Sequence, residues 1–75
     1  MKIKVKLIGP LIYETGFSEK EIEMAGAPTA ETVLKLLAIS KTRPKIITRN
    51  GKAIAPRELL ENGDIIAISP IYSGG

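Results

Sequence analysis

Residues 2–8 read as a strand, with Lys2, Lys4 and Lys6 on one parity and Ile3, Val5 and Leu7 on the other. Residues 18–25 repeat the device, setting Glu19, Glu21 and Glu23 against Ile22 and Met24. A period of two marks a strand that is dry on one face and wet on the other. Folded into a hairpin, the segments bring a row of lysines opposite a row of glutamates, where each pair of opposite charges contributes about 0.2–1 kcal/mol. Ser18 and Glu21 also imitate a helical capping box, but the continuing alternation and Gly26 favour the strand.

Gly9-Pro10 breaks the first strand. The stretch to about Ser18 holds Leu11, Ile12, Tyr13 and Phe17, too apolar for a solvated linker, so part of it is expected to pack as a helical turn. Pro28-Thr29 opens the main helix: Thr29 can cap it, Glu31 sits in its first turn, and Val33, Leu34, Leu36, Leu37 and Ala38 form a broad apolar stripe. The helix is expected to end near Ser40, and Pro44 stops any continuation. Ile46 and Ile47 begin a strand that runs into Asn50-Gly51, the strongest two-residue hairpin signal, and Lys52 to Ile54 returns. Pro56 ends the return strand, Arg57 to Glu61 allows a helical turn, and Asn62-Gly63 makes another reversal. Ile65, Ile66, Ala67 and Ile68 then form a last strand buried on at least one face, with both expected.

The predicted class is α+β, a mixed sheet covered on one side by one main helix, in a single domain spanning residues 1–75. The order of strands within the sheet does not follow from the pattern. If Ile66 and Ile68 face the helix, Ile65 and Ala67 point away and leave an apolar strip close to the C-terminus. That strip is either an interaction surface or ordinary exposed aliphatics.

Composition removes several chemistries. The 75 residues include no Cys, no His and a single Asp, which excludes thiol nucleophiles, disulfides, imidazole bases and the usual zinc ligands, so neither self-contained catalysis nor a bound metal is expected. A net charge of +3 raises the question of nucleic acid. The Lys row is expected to be self-paired, and Lys41, Arg43, Lys45, Arg49, Lys52 and Arg57 are scattered, with two Tyr and one Phe to offer stacking. An acidic protein partner fits them better than an RNA groove. No apolar run approaches the roughly 20 residues that span a bilayer, and Met1-Lys2 leads straight into a strand, which predicts a cytoplasmic protein that does not engage membranes.

The sequence ends in Gly74-Gly75, a carboxylate on a backbone without side chains. Such an end is thin enough to thread a channel whose walls would collide with any other residue. A carboxylate is a poor electrophile until ATP adenylates it; it can then accept sulfur or be joined to an amine. The bland alternative is a frayed end or an expression remnant.

From Ile47 onward the sequence resembles the small β-grasp sulfur carriers of the ThiS and MoaD group, related in fold to ubiquitin. The landmarks are the Asn50-Gly51 turn, the Asn62-Gly63-Asp64 turn before an apolar strand, and the Gly74-Gly75 end. Ile54-Ala55-Pro56-Arg57-Glu58 is similar to ThiS proteins. The stretch from Ser69 to Gly75 and the N-terminal Lys6-Leu7-Ile8-Gly9-Pro10-Leu11 with Thr15-Gly16 are closer to MoaD. The resemblance implies a ubiquitin-like β-grasp with four to five strands, the first and last parallel and adjacent at the centre, and a tail of about residues 70–75 leaving at the sheet edge. It further implies an E1-like adenylyltransferase of the MoeB or ThiF type that docks on the sheet face and activates Gly75. Docking would use Ile65, Ala67, Pro70, Ile71 and Tyr72. A sulfur donor would replace AMP to leave a thiocarboxylate, and the acceptor would be a molybdopterin synthase large subunit or thiazole synthase. ATP and Mg²⁺ would belong to the activating enzyme, with no cofactor bound by the chain. MoaD proteins commonly carry a bulky apolar residue before the tail proline, where this sequence has Ser69, a departure for which Ile71 and Tyr72 would compensate. Two other readings stay open: a ubiquitin-like modifier joined to lysines, and a β-grasp binding module with an incidental tail.

Overall fold

The computed structural model describes residues 1–39 and 45–71. Five strands, β1 (Lys2–Leu7), β2 (Glu19–Glu23), β3 (Lys45–Arg49), β4 (Lys52–Ile54) and β5 (Ile65–Pro70), form one sheet in the order β2-β1-β5-β3-β4. β1 and β5 run parallel; every other neighbouring pair is antiparallel. Two helices, α1 (Leu11–Thr15) and α2 (Ala30–Leu36), accompany the sheet among the described residues.

The alternation read from β1 and β2 is the observed one: Ile3, Val5, Leu7, Ile22 and Met24 are buried. Lys2, Lys4 and Lys6 stand opposite Glu23, Glu21 and Glu19. The ion pairs form on the diagonal, Lys2 to Glu21 at 3.8 Å and Lys4 to Glu19 at 3.4 Å. Lys6 makes no ion pair among the described residues. Ile66 and Ile68 of β5 are fully enclosed between their neighbours and the helical layer. Burying side chains of this size contributes about 1.5–3 kcal/mol each, which makes β5 the keel of the sheet. Its burial is one-sided, however, because Ile65 remains 40% exposed on the opposite face.

The apolar stretch after Gly9-Pro10 does pack as a helical turn. Leu11 anchors α1 in the core, and Gly16, left-handed at φ 88°, closes it by donating to the Ile12 carbonyl. Asn50 (φ 50°) and Gly51 (φ 90°) are both left-handed, as a type I′ hairpin turn requires.

The main helix starts where Thr29 predicts. The Thr29 side chain accepts from Thr32 N at 3.3 Å and Thr32 Oγ1 accepts from Thr29 N at 3.1 Å, a reciprocal cap. It ends earlier than expected. Ala38 turns left-handed at φ 57°, so that Ala38 N donates to the Lys35 carbonyl and Ile39 N to the Leu34 carbonyl, the closure of a Schellman motif. The apolar stripe narrows accordingly: Val33 and Leu34 are buried, whereas Leu36 and Ala38 are exposed. Ser40 lies outside the described residues.

The helical turn allowed over Arg57–Glu61 does not form. That segment instead serves α2: the Pro56 and Glu58 carbonyls accept from Glu31 N and Ala30 N, Leu60 N donates to the Pro28 carbonyl, and Leu59 bridges Thr29. Backbone groups used in this way between segments cannot also close a helical turn.

Candidate functional site

The sequence places its reactive group at Gly75; Gly74, Gly75 and Tyr72 lie outside the described residues. The platform that precedes them is described. Pro70, expected in the tail, is the last residue of β5 and pairs with Lys45 of β3. The chain therefore leaves the sheet at Ile71, from the end of the strand that lies at its centre, as the resemblance implies.

The face of the sheet turned away from α2 is set by strand parity. Along β5, Ile65, Ala67 and Ser69 point outward between the buried Ile66 and Ile68. On one side the register puts Lys4 beside Ile65 and Lys6 beside Ala67; on the other it puts Thr48 beside Ala67 and Ile46 beside Ser69. One residue beyond the last registered β1 pair, Ile8 comes alongside Ser69, and its N–H donates to the Ile68 carbonyl at 3.1 Å. Ile8, Ile46, Ile65 and Ile71 are each between 40% and 50% exposed. Ile8 and Ile46 flank Ser69 toward the C-terminal end of β5 and Ile71 follows that end, whereas Ile65 stands at the start of the strand, with Ala67 between.

Of the five residues expected at a docking surface, Ile65, Ala67 and Pro70 share β5, Ile71 follows it, and Tyr72 lies outside the described residues. Sequence reasoning missed Ile8 and Ile46. Their signal was parity: Leu7 and Ile47 face the core, so their neighbours face out.

The face is held in place from below by a polar knot. Asp64, buried to 7% exposure, accepts from Asn50 Nδ2 at 3.2 Å and from Glu61 N at 2.8 Å. Asn50 Oδ1 accepts from Ile65 N at 2.9 Å, and Asn62 Oδ1 from Lys2 N at 2.7 Å. Three strand ends, those of β1, β3 and β5, are thereby fixed relative to one another. Among the described residues no group of three or more acidic, His or Cys side chains is placed to hold a metal ion. No described helix is long and apolar enough to cross a membrane.

A profile of the ThiS family matches residues 5–75. This chain belongs to the ThiS family. Among solved structures it is similar to SAMP1, the small archaeal modifier protein 1 of Haloferax volcanii, with a TM-score of 0.82 and 25% identity over 100% of both chains. Urm1 from Sulfolobus solfataricus gives a TM-score of 0.64 at 29% identity, covering 91% of this chain and 99% of that one. A third match is a chain of the complex of subunits 1 and 2 of the molybdopterin-converting factor from Helicobacter pylori, at TM-score 0.68 and 21% identity over 100% of both. The fold is thus a ubiquitin-like β-grasp with the expected parallel central pair, β1 and β5, and its kin are sulfur carriers and ubiquitin-like modifiers.

Proposed function

We propose that this chain is a sulfur carrier whose Gly75 carboxylate is adenylated by an E1-like enzyme of the MoeB or ThiF type and converted to a thiocarboxylate. The observation that carries the reading is the continuity of β5, the most enclosed strand, into the Gly-Gly end. A rigid central strand fixes where the tail begins, and the five residues after Pro70 can reach at most about 17 Å into a partner. In this reading the apolar face around Ile65, Ala67 and Ile71 seats the enzyme, while the side-chain-free end enters the nucleotide site. The carboxylate oxygen attacks the α-phosphorus of ATP and pyrophosphate leaves; a sulfur donor then displaces AMP. Mg²⁺ and ATP are the enzyme's, and the chain is co-substrate. The match to a complexed molybdopterin-converting-factor subunit supports a synthase large subunit as acceptor, and the ThiS kinship supports thiazole synthase.

The test is electrospray mass spectrometry after incubation with a purified E1-like enzyme, ATP, Mg²⁺ and a sulfur donor. Replacement of oxygen by sulfur adds about 16 Da at the C-terminus, giving a thiol acid that alkylating agents trap. An unchanged mass with every such enzyme of the source cell would refute the proposal.

The similarity to SAMP1 favours a second reading, in which the same acyl-adenylate is passed to a lysine amine. Affinity-tagged chain expressed in its own cells would then appear in a ladder of isopeptide-linked conjugates.

A further inference from the structure

The middle of the outer face is its lowest line. Ala67 and Ser69 are small, and they are flanked by longer side chains on both neighbouring strands: Lys6 and Thr48 at the level of Ala67, Ile8 and Ile46 at the level of Ser69. With adjacent strands about 4.8 Å apart, Ile8 and Ile46 stand roughly 10 Å from each other across Ser69, which is room for one bulky side chain. The Ser69 hydroxyl donates to the Pro70 carbonyl at 3.3 Å, so the floor does not need water to satisfy its donor. Displacing water from it by an apolar group is therefore not opposed by an orphaned hydroxyl.

The wall on the β1 side carries a charge. Lys2 and Lys4 are engaged by Glu21 and Glu19, whereas Lys6, beside Ala67 and one step from the hollow, has no ion-pair partner among the described residues.

We propose that Ser69 is the floor of a socket, walled by Ile8 and Ile46, that receives a bulky apolar side chain of the activating enzyme, with a carboxylate of that enzyme meeting Lys6. The enzyme supplies the knob and this chain the hole. The inference rests on the carrier reading, and it commits the partner to an apolar anchor with an acidic neighbour on the β1 side, within about one strand spacing. It gives Ser69 a role in partner choice: a carrier with a large residue at that level and an enzyme with a protruding side chain would exclude each other.

The experiment measures pyrophosphate release by the E1-like enzyme of the source cell, with ATP, Mg²⁺ and a sulfur donor present to displace AMP and allow turnover, as a function of carrier concentration, for wild type, Ser69→Phe, Ser69→Ala and Lys6→Gln. Filling the socket with Ser69→Phe is expected to raise the KM for the carrier about tenfold or more, as loss of a central anchor does, with kcat at saturation unchanged because Ser69 lies six residues before the reacting carboxylate in sequence. Ser69→Ala, which leaves the socket open, is expected to stay within about twofold of wild type. Lys6→Gln is expected to flatten the dependence of KM on ionic strength. A Ser69→Phe protein with wild-type or lower KM overturns the socket. Should Ser69→Phe fail to fold by circular dichroism, Ile8→Ser and Ile46→Ser serve in its place. Loss of either wall is expected to raise KM, and unchanged values for both overturn the socket. If wild type itself releases no pyrophosphate, the carrier reading falls and the socket with it; if wild type is activated and the variants match it, only the socket falls.

Discussion

Asn50 Nδ2 donates to Asp64 Oδ1 over 3.2 Å, tying the β3–β4 turn to the residue that precedes β5. Asp64 is the sole Asp of the chain and it is spent on structure, accepting in addition from Glu61 N. Asp64→Ala leaves both donors without this acceptor in a nearly dry place and is expected to cost about 1–3 kcal/mol. Urea denaturation should show a lower midpoint at unchanged slope. Asp64→Asn, which keeps one acceptor oxygen, should fall between the two.

Ala38 occupies a left-handed position that favours glycine. Ala38→Gly removes a steric cost of about 1–2 kcal/mol, partly offset by the greater backbone freedom of glycine when unfolded. The expected net gain is up to about 1 kcal/mol, or a rise of some 4–8 °C in the thermal midpoint for a domain of this size. Scanning calorimetry gives the answer directly, and a midpoint at or below wild type would show that the strain is relieved elsewhere.

Thr29 and Thr32 cap α2 reciprocally, so their contributions are coupled. Thr29→Ala should cost about 1 kcal/mol, and the double variant Thr29→Ala, Thr32→Ala less than the sum of the singles. A double-mutant cycle by chemical denaturation measures the difference. Additive costs would mean that the two hydroxyls act separately.

The two ion pairs of the β1–β2 ribbon are exposed: the Lys4 and Glu19 side chains remain 46% and 48% accessible. Glu19→Gln is accordingly expected to cost less than about 1 kcal/mol at low salt and close to nothing at high salt. Thermal melts at two ionic strengths test this. The apolar row sets the register more than the charges do, because a slip of one residue would turn Ile3, Val5 and Leu7 to water.

Gly75 comes five residues after the last residue of β5, so deletion of Gly75 should leave the unfolding transition unaltered while abolishing the ATP-dependent mass change. Gly75→Ala should behave alike. Activation of the deletion variant at the wild-type rate would remove the carrier reading.

Every strand was legible in the sequence, because each carries a local mark. Lys and Ile alternate in β1, Glu and Ile in β2, and Asn50-Gly51 joins β3 to β4. What pattern could not supply was the partner of each strand. The parallel pairing of β1 with β5 is a contact between the two ends of the chain, and it came from the resemblance alone. The misreadings have the same origin. Arg57–Glu61 has good helix formers, yet its backbone groups bond to the start of α2, a tertiary demand invisible locally. Leu36 looked like core until Ala38 turned left-handed and shortened the helix beneath it. On the outer face, parity gave the outward facing of Ile65 and Ala67, while Ile8 and Ile46 joined them only once strand order put β1 and β3 on either side of β5.

Because the last strand lies between β1 and β3, neither can complete its hydrogen bonding until residues 65–70 have emerged from the ribosome. A nascent copy that stops before residue 65 lacks its keel as well as the end proposed to react, whereas loss of Gly75 alone spares the keel. The sheet is thus complete only after all but the last five residues have been made, and an activating enzyme of the kind proposed, if it reads the finished sheet, would pass over chains that stop short of β5.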